Sequence, residues 1–206
     1  MSRLEEALRP GRALIPYLTS SDPSPEAFVE AALGAVEGGA TALEVGIPHS
    51  DPVADGPVIQ RAHERALRAG GGAQPALDQL RALRRETQVP IVLFTYANPV
   101  LAFRAERFVK EAAAAGADGV LALDVPPEEE PGWYALCRES GLDPIVLFSP
   151  NTSEERAARV LEAGSGFVYV VARSGVTGTH DGARSDLERR VAMARGVSGL
   201  PAAVGF

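Results

Sequence analysis

"LEVGIPHSDPVADG", Leu43 to Gly56, joins a short apolar run to a turn rich in Pro, Gly and Asp, and each half carries a carboxylate. Val45 and Ile47 are β-branched residues that suit a strand, and Ala42 and Leu43 lead into them. The run is continuous rather than alternating, which is the pattern of a parallel strand buried on both faces. Yet Glu44 lies inside it, and Asp55 follows eleven residues later in the turn. An acid in a buried strand and another just past its end require a reason.

Working outward, six similar runs flank this one: "ALIPYLT" (13–19), "PIVLFTYA" (90–97), "GVLALDV" (119–125), "PIVLFSP" (144–150), "FVYVVAR" (167–173) and "AAVGF" (202–206). Between them lie amphipathic segments. "SPEAFVEAALGAVEGG" offers a Ser24 cap, Pro25 in the first turn and terminal glycines. "PALDQLRALRRE", "RAERFVKEAAAAG", "SEERAARVLEAG" and "DLERRVAMARG" repeat apolar residues at three- and four-residue spacing. The order is β-α throughout, about seven strands and six intervening helices, with a short helix before the first strand. Strict alternation implies a parallel sheet, either a βα barrel or an open doubly wound sheet. No G-x-G-x-x-G follows the first strand and no G-x-x-x-x-G-K-[ST] occurs, so the nucleotide fingerprints of the open sheet are absent. Functional-looking residues instead follow several runs: Asp55, Asn98, Asp124 and the segment from Arg173 to Gly178. Sites spread over many strand ends favour the α/β fold of a (βα)8 TIM barrel. The last helix, strand and helix of such a barrel would follow Phe206, so the expectation is one domain, 1–206, ending after the seventh strand.

Composition bounds the function. The chain has 206 residues, 46% of them hydrophobic, enough for a sizeable single core. A formal charge of −7 argues against non-specific binding to nucleic acid or an anionic membrane. Cys137 is alone, so no disulfide framework is available, and a cytoplasmic setting is expected. "MSRLEEALRPGR" places acids where a signal peptide has its apolar core, and no apolar run reaches the ~18–20 residues of a membrane span.

Glu44 is open to two readings: a carboxylate paired with an Arg or backbone donors, or a desolvated carboxyl whose raised pKa fits it for general acid–base work. Asp55 in "VADGP" is either a turn-forming Asp-Gly or a functional acid. His49, His63 and His180 lack zinc spacing and are expected on the surface or in loops, so no metal site is predicted. Cys137 is helical, and no Ser lies in a G-x-S-x-G elbow. "RSGVTGTHDGARSD" (173–186) is either an ordinary polar loop or a lid over substrate. The residues alone lead to a βα-barrel lyase or isomerase using two carboxylates.

Six blocks, in order along the chain, closely resemble the tryptophan synthase alpha subunit family: "ALIPYLTSSDP", "LEVGIPHSDPVADGPVIQRA", "TYANPVL", "LALDVPPEE", "VYVVARSGVTG" and "LPAAVGF". The resemblance implies a barrel lyase that cleaves indole-3-glycerol phosphate to indole and glyceraldehyde 3-phosphate without a metal or organic cofactor of its own. It also implies an α2β2 heterotetramer in which the beta subunit carries pyridoxal phosphate. By resemblance Glu44 moves protons at the indole C3 and the side-chain hydroxyl, and Asp55 holds the ring N–H. Tyr169 lies near the substrate, Thr177 meets the loop aspartate when the lid closes, and Gly178 donates to the phosphate. Tyr17, Ile59, Phe94, Leu121 and Phe206 map to the walls around the indole, and Pro48, Asp51 and Asn98 to loops facing the beta subunit. The family's main phosphate grip would follow Phe206, which gives an alternative expectation: a catalytically impaired chain that acts only as a binding partner of the beta subunit.

Overall fold

The computed structural model describes residues 1–9, 12–172 and 180–205. Its strands are β1 (Tyr17–Thr19), β2 (Leu43–Gly46), β3 (Ile91–Thr95), β4 (Gly119–Ala122), β5 (Asp143–Pro144), β6 (Val146–Phe148), β7 (Val168–Val171) and β8 (Ala202–Gly205). All pairings are parallel and between chain neighbours, β1 to β5 in one ladder and β6 to β8 in a second. The run expected as one strand over 144–150 is divided between the two. β5 pairs with β4, the Ile145 N–H donates to the Val120 carbonyl at 2.9 Å, and β6 then pairs with β7. The sheet thus passes from one ladder to the next through a single stretch of chain.

Helix α1 (Arg3–Leu8) precedes the sheet, α2 (Pro25–Glu37) joins β1 to β2, and α7 (Pro131–Glu139), α8 (Glu154–Ala163) and α9 (His180–Ser198) follow β4, β6 and β7. Two connections hold a pair of helices each: α3 (Pro57–Arg68) with α4 (Ala73–Glu86), and α5 (Ala97–Phe103) with α6 (Ala105–Ala115). The sequence pattern anticipated α4 and α6 but not α3 or α5. It also placed a loop over 173–186, whereas the chain is helical from His180 onward. Arg184–Glu188 and Asp186–Arg190 pairs at four-residue spacing support that early turn. The expected start of α2 is found: the Ser24 hydroxyl accepts from the Ala27 N–H, with Pro25 in the first turn.

Why the strands are apolar on both faces follows from two packing layers. Leu43 and Val45 point outward among Leu77, Leu80 and Leu83 of α4, in a core that continues through Phe108 and Trp133 to Val168 and Val170. Alternate residues point the other way and form an inner cluster of Ala42, Val92, Phe94, Leu121, Ile145 and Phe167. Leu4 and Leu8 of α1 join this inner cluster, so the first helix closes the amino end of the concave face. Beside it the Arg84 guanidinium, mostly buried, donates to the Asp118 carboxylate and to the carbonyls of Gly116, Thr87 and Val89, while Asp118 also accepts from Arg3 and the Ile91 N–H.

At the opposite end the inner face opens, and two glycines make room there. Gly46 lies under the Tyr17 ring and Gly205 under the Tyr169 ring, so close that a Cβ on either would overlap the phenol. Each tyrosine leans two positions along its neighbouring strand, from Thr19↔Gly46 and Val171↔Gly205 register. Among the described residues no helix is long and apolar enough to cross a membrane.

Candidate active site

Glu44 occupies the middle of β2, opposite Tyr17 on one side and Val92 on the other, and is 5% exposed. Its alternation with Leu43 and Val45 sends it to the inner face. Burial raises its pKa from 4.5 to about 7, and desolvation is the sole cause. A carboxyl in this condition exchanges a proton near neutrality.

Asp55 lies in the loop between β2 and α3. Its own N–H donates to the Pro52 carbonyl at 3.0 Å, and its carbonyl accepts from Gln60 at 2.9 Å. The Tyr96 hydroxyl donates to Asp55 Oδ2 at 2.6 Å and accepts the Ala54 N–H at 3.2 Å, tying the loop to the end of β3. Burial first, then its bond to the Asp55 carboxylate, drives the Tyr96 hydroxyl pKa well above its ordinary value. That phenol stays a donor.

The charges of both acids reach the same two tyrosines. Tyr169 is pushed up to about 12, first by burial and then by the negative charges of Glu44 and Asp55. Tyr17 is driven up by burial too, with Asp55 and Glu44 adding to it. Phe94 stands between the tyrosines, edge-on to both, at 5.3 Å from Tyr17 and 5.9 Å from Tyr169 between ring centroids. Tyr17, Phe94, Leu121 and Tyr169 therefore belong to one apolar cluster on the inner face, whose two tyrosines both feel the charges of Glu44 and Asp55. Ile59 is half-buried on α3 and stands outside that cluster. Thr177, Gly178 and Phe206 lie outside the described residues.

Of the residues expected at a partner surface, Asp51 and Asn98 are exposed, whereas Pro48 is buried with its ring beside Gly71. Asp51 borders a groove of about 560 Å³ shared with His49, Gln60 and Arg68. Asp124 accepts from the Ala97 N–H at 2.7 Å, capping α5, and borders a groove of about 750 Å³ between α5, α6 and α7. Neither groove contains Glu44 or Asp55. No group of three or more His, Cys, Asp or Glu among the described residues could hold a metal ion.

The family model described as "Tryptophan synthase alpha chain" matches residues 4–206. The chain belongs to the tryptophan synthase alpha chain family. A tryptophan synthase alpha chain of Aromatoleum aromaticum is 45% identical over 196 residues, covering 95% of this chain and 72% of that one. One from Halorhodospira halophila is 46% identical over 212 residues, covering 100% and 78%. Among solved structures, Mycobacterium tuberculosis tryptophan synthase superposes with a TM-score of 0.90 at 38% identity, covering 100% of this chain and 80% of that one. The tryptophan synthase a2b2 complex of Pyrococcus furiosus matches with a TM-score of 0.86 at 37% identity, covering 94% and 78%. The fold is that of the TIM barrel, and as a member of this family the protein is a lyase of tryptophan biosynthesis that cleaves indole-3-glycerol phosphate.

Two residues that lie against Asp55, Tyr96 and His63, do not stand out in the sequence. Tyr96 passes for one more apolar strand residue. His63, expected on the surface or in a loop, is 2% exposed on α3. The signal that would have found α3 is Pro57 directly after the turn glycine Gly56, at the first helical position.

Proposed function

We propose that Glu44 and Asp55 divide the retro-aldol cleavage of indole-3-glycerol phosphate between them. The indole ring fills the chamber of Tyr17, Phe94, Leu121 and Tyr169, and Asp55 accepts a hydrogen bond from the ring N–H. Glu44 delivers its proton to C3, and the positive charge that spreads over the ring is stabilised by the Asp55 carboxylate. Removal of the proton from the hydroxyl next to the breaking bond then expels the ring: the C–C bond pair returns to C3 and an aldehyde forms. One proton is given and one is recovered, so Glu44 ends as it began and no oxidant or cofactor is consumed.

The observation that supports this reading is the pair of unlike carboxyl environments. Glu44 is desolvated and can hold a proton to about pH 7, while Asp55 accepts a strong bond from a phenol at 2.6 Å. Two acids in different surroundings can serve opposite roles at one pH. By resemblance Thr177 meets Asp55 on closure, Gly178 donates to the phosphate, and Ile59 and Phe206 complete the indole wall. The chain acts in the cytosol with a beta subunit in an α2β2 assembly, presenting Pro48, Asp51 and Asn98 towards it, and pyridoxal phosphate belongs to that partner. An a2b2 complex is known for the Pyrococcus furiosus relative. The alternative of a silent binding partner is not favoured, because the relatives are alpha chains of a lyase family.

Indole release from indole-3-glycerol phosphate by the complex tests the assignment. Glu44→Gln and Asp55→Asn are each expected to lose about a hundredfold or more in kcat while the complex still assembles. Near-normal turnover in both variants would overturn the two roles.

A further inference from the structure

His63 holds a place that the cleavage chemistry does not use. It sits one side chain behind Asp55, on α3, and is 2% exposed. Its Nδ1 accepts the backbone N–H of His49 at 2.9 Å. An Nδ1 that accepts cannot carry the proton in the neutral ring, so the ring proton is on Nε2. That Nε2 is fully buried, has no hydrogen-bond partner, and lies 3.5 Å from Asp55 Oδ2. Buried donors are rarely left without an acceptor, and the acceptor at 3.5 Å is the carboxylate proposed to stabilise the ring cation.

We infer that His63 is a positioning residue for Asp55: its Nε2–H and the Tyr96 hydroxyl converge on Oδ2 and so turn Oδ1 towards the substrate. This inference rests on the proposed role of Asp55. Tyr96 already occupies Oδ2 at 2.6 Å, and among the described residues Oδ1 has no hydrogen bond. A small movement of the Asp55 loop closes the 3.5 Å gap to bonding distance. The His49 backbone thus does its part at one remove. By fixing which ring nitrogen is protonated, it decides that His63 presents a donor and not a lone pair to the carboxylate. The His49 ring also packs on Tyr96 at 5.1 Å, so both supports of Oδ2 are braced by one residue.

The test is steady-state cleavage of indole-3-glycerol phosphate by the complex with the beta subunit, for His63→Leu, His63→Gln, Asp55→Asn and the double variant His63→Leu/Asp55→Asn. His63→Leu is expected to lower kcat about tenfold or more with little change in KM. Gln, whose amide N–H reaches about as far as Nε2–H, is expected to restore most of that loss. The double variant is expected to be no slower than Asp55→Asn alone, because a support has no effect once the supported charge is gone. Wild-type kcat in His63→Leu, or the same proportional loss in the double variant as in the single, overturns the inference while leaving Asp55 in its role. Wild-type kcat in Asp55→Asn is a different failure, since it removes that role first. If His63→Leu does not fold, the wild-type chain itself decides through long-range ¹⁵N–¹H correlation of the His63 ring. A proton on Nε2 supports the inference, and a proton on Nδ1 refutes it.

Discussion

Replacing Glu44 with Gln separates the cost of burying a charge from everything else in the chamber. The wild-type carboxyl is 5% exposed and its pKa stands near 7 against 4.5 for an ordinary glutamate. Between those two values the folded chain retains a proton that the unfolded chain has released. Raising the pH through this window therefore draws the equilibrium towards the unfolded state. The stabilising contribution is complete below pH 4.5 and is lost as pH rises through about 7. At 1.36 kcal/mol for each tenfold change in proton affinity, the ionised carboxylate costs about 3 kcal/mol. Glutamine keeps the shape and cannot ionise, so Glu44→Gln escapes that cost. The variant and the wild type should be of nearly equal stability at pH 4.5. At pH 8.5 the variant should be more stable by about 3 kcal/mol, a rise in Tm of roughly 6–12 °C for a chain of this size. Urea and thermal unfolding of both proteins across this range measure the difference, in which every other titrating group cancels. A gap that stays constant from pH 4.5 to 8.5 would refute the claim that Glu44 is desolvated, and with it the proton-ready acid on which the proposed chemistry depends.

Two further outcomes probe the scaffold. Gly205→Ala places a methyl where the Tyr169 phenol lies; we expect kcat for indole release to fall by about tenfold or more and urea stability to drop by about 1–3 kcal/mol, with stability recovered in Gly205→Ala/Tyr169→Ala. A Gly205→Ala chain as stable as wild type would show that the ring swings aside freely. Arg84→Ala removes the mostly buried guanidinium that serves Asp118 and three carbonyls, and should lower the urea-derived stability by about 3 kcal/mol, leaving kcat unchanged because Arg84 serves the amino end of the sheet. A loss of kcat in the folded variant would contradict that separation of ends.

Glu44 and Asp55 were legible for opposite reasons. An acid in an apolar run stands out against its neighbours, and Asp-Gly in the turn that follows a strand stands out by position. The alternation that turns Glu44 inward was not visible, because a strand buried on both faces has no polar face to mark it. His63 was lost with α3: only when residues 57–68 are wound into a helix does the imidazole come within reach of an aspartate eight residues earlier. Helix α5 was hidden by Pro99, which the first turn of a helix tolerates. The division of the run 144–150 at Ile145 depends on which neighbour accepts each hydrogen bond, a property of sheet curvature that no local pattern carries.

The first helix has a consequence for the proton's route. Leu4 and Leu8 fill the amino end of the inner face, and Leu4 reaches as far as Gly119 at the start of β4. That hydrocarbon floor keeps water from reaching Glu44 through the amino end of the inner face. Under the proposed chemistry the proton that Glu44 gives to C3 would be renewed from the side away from α1, so cleavage in heavy water would place deuterium at C3 of the released indole.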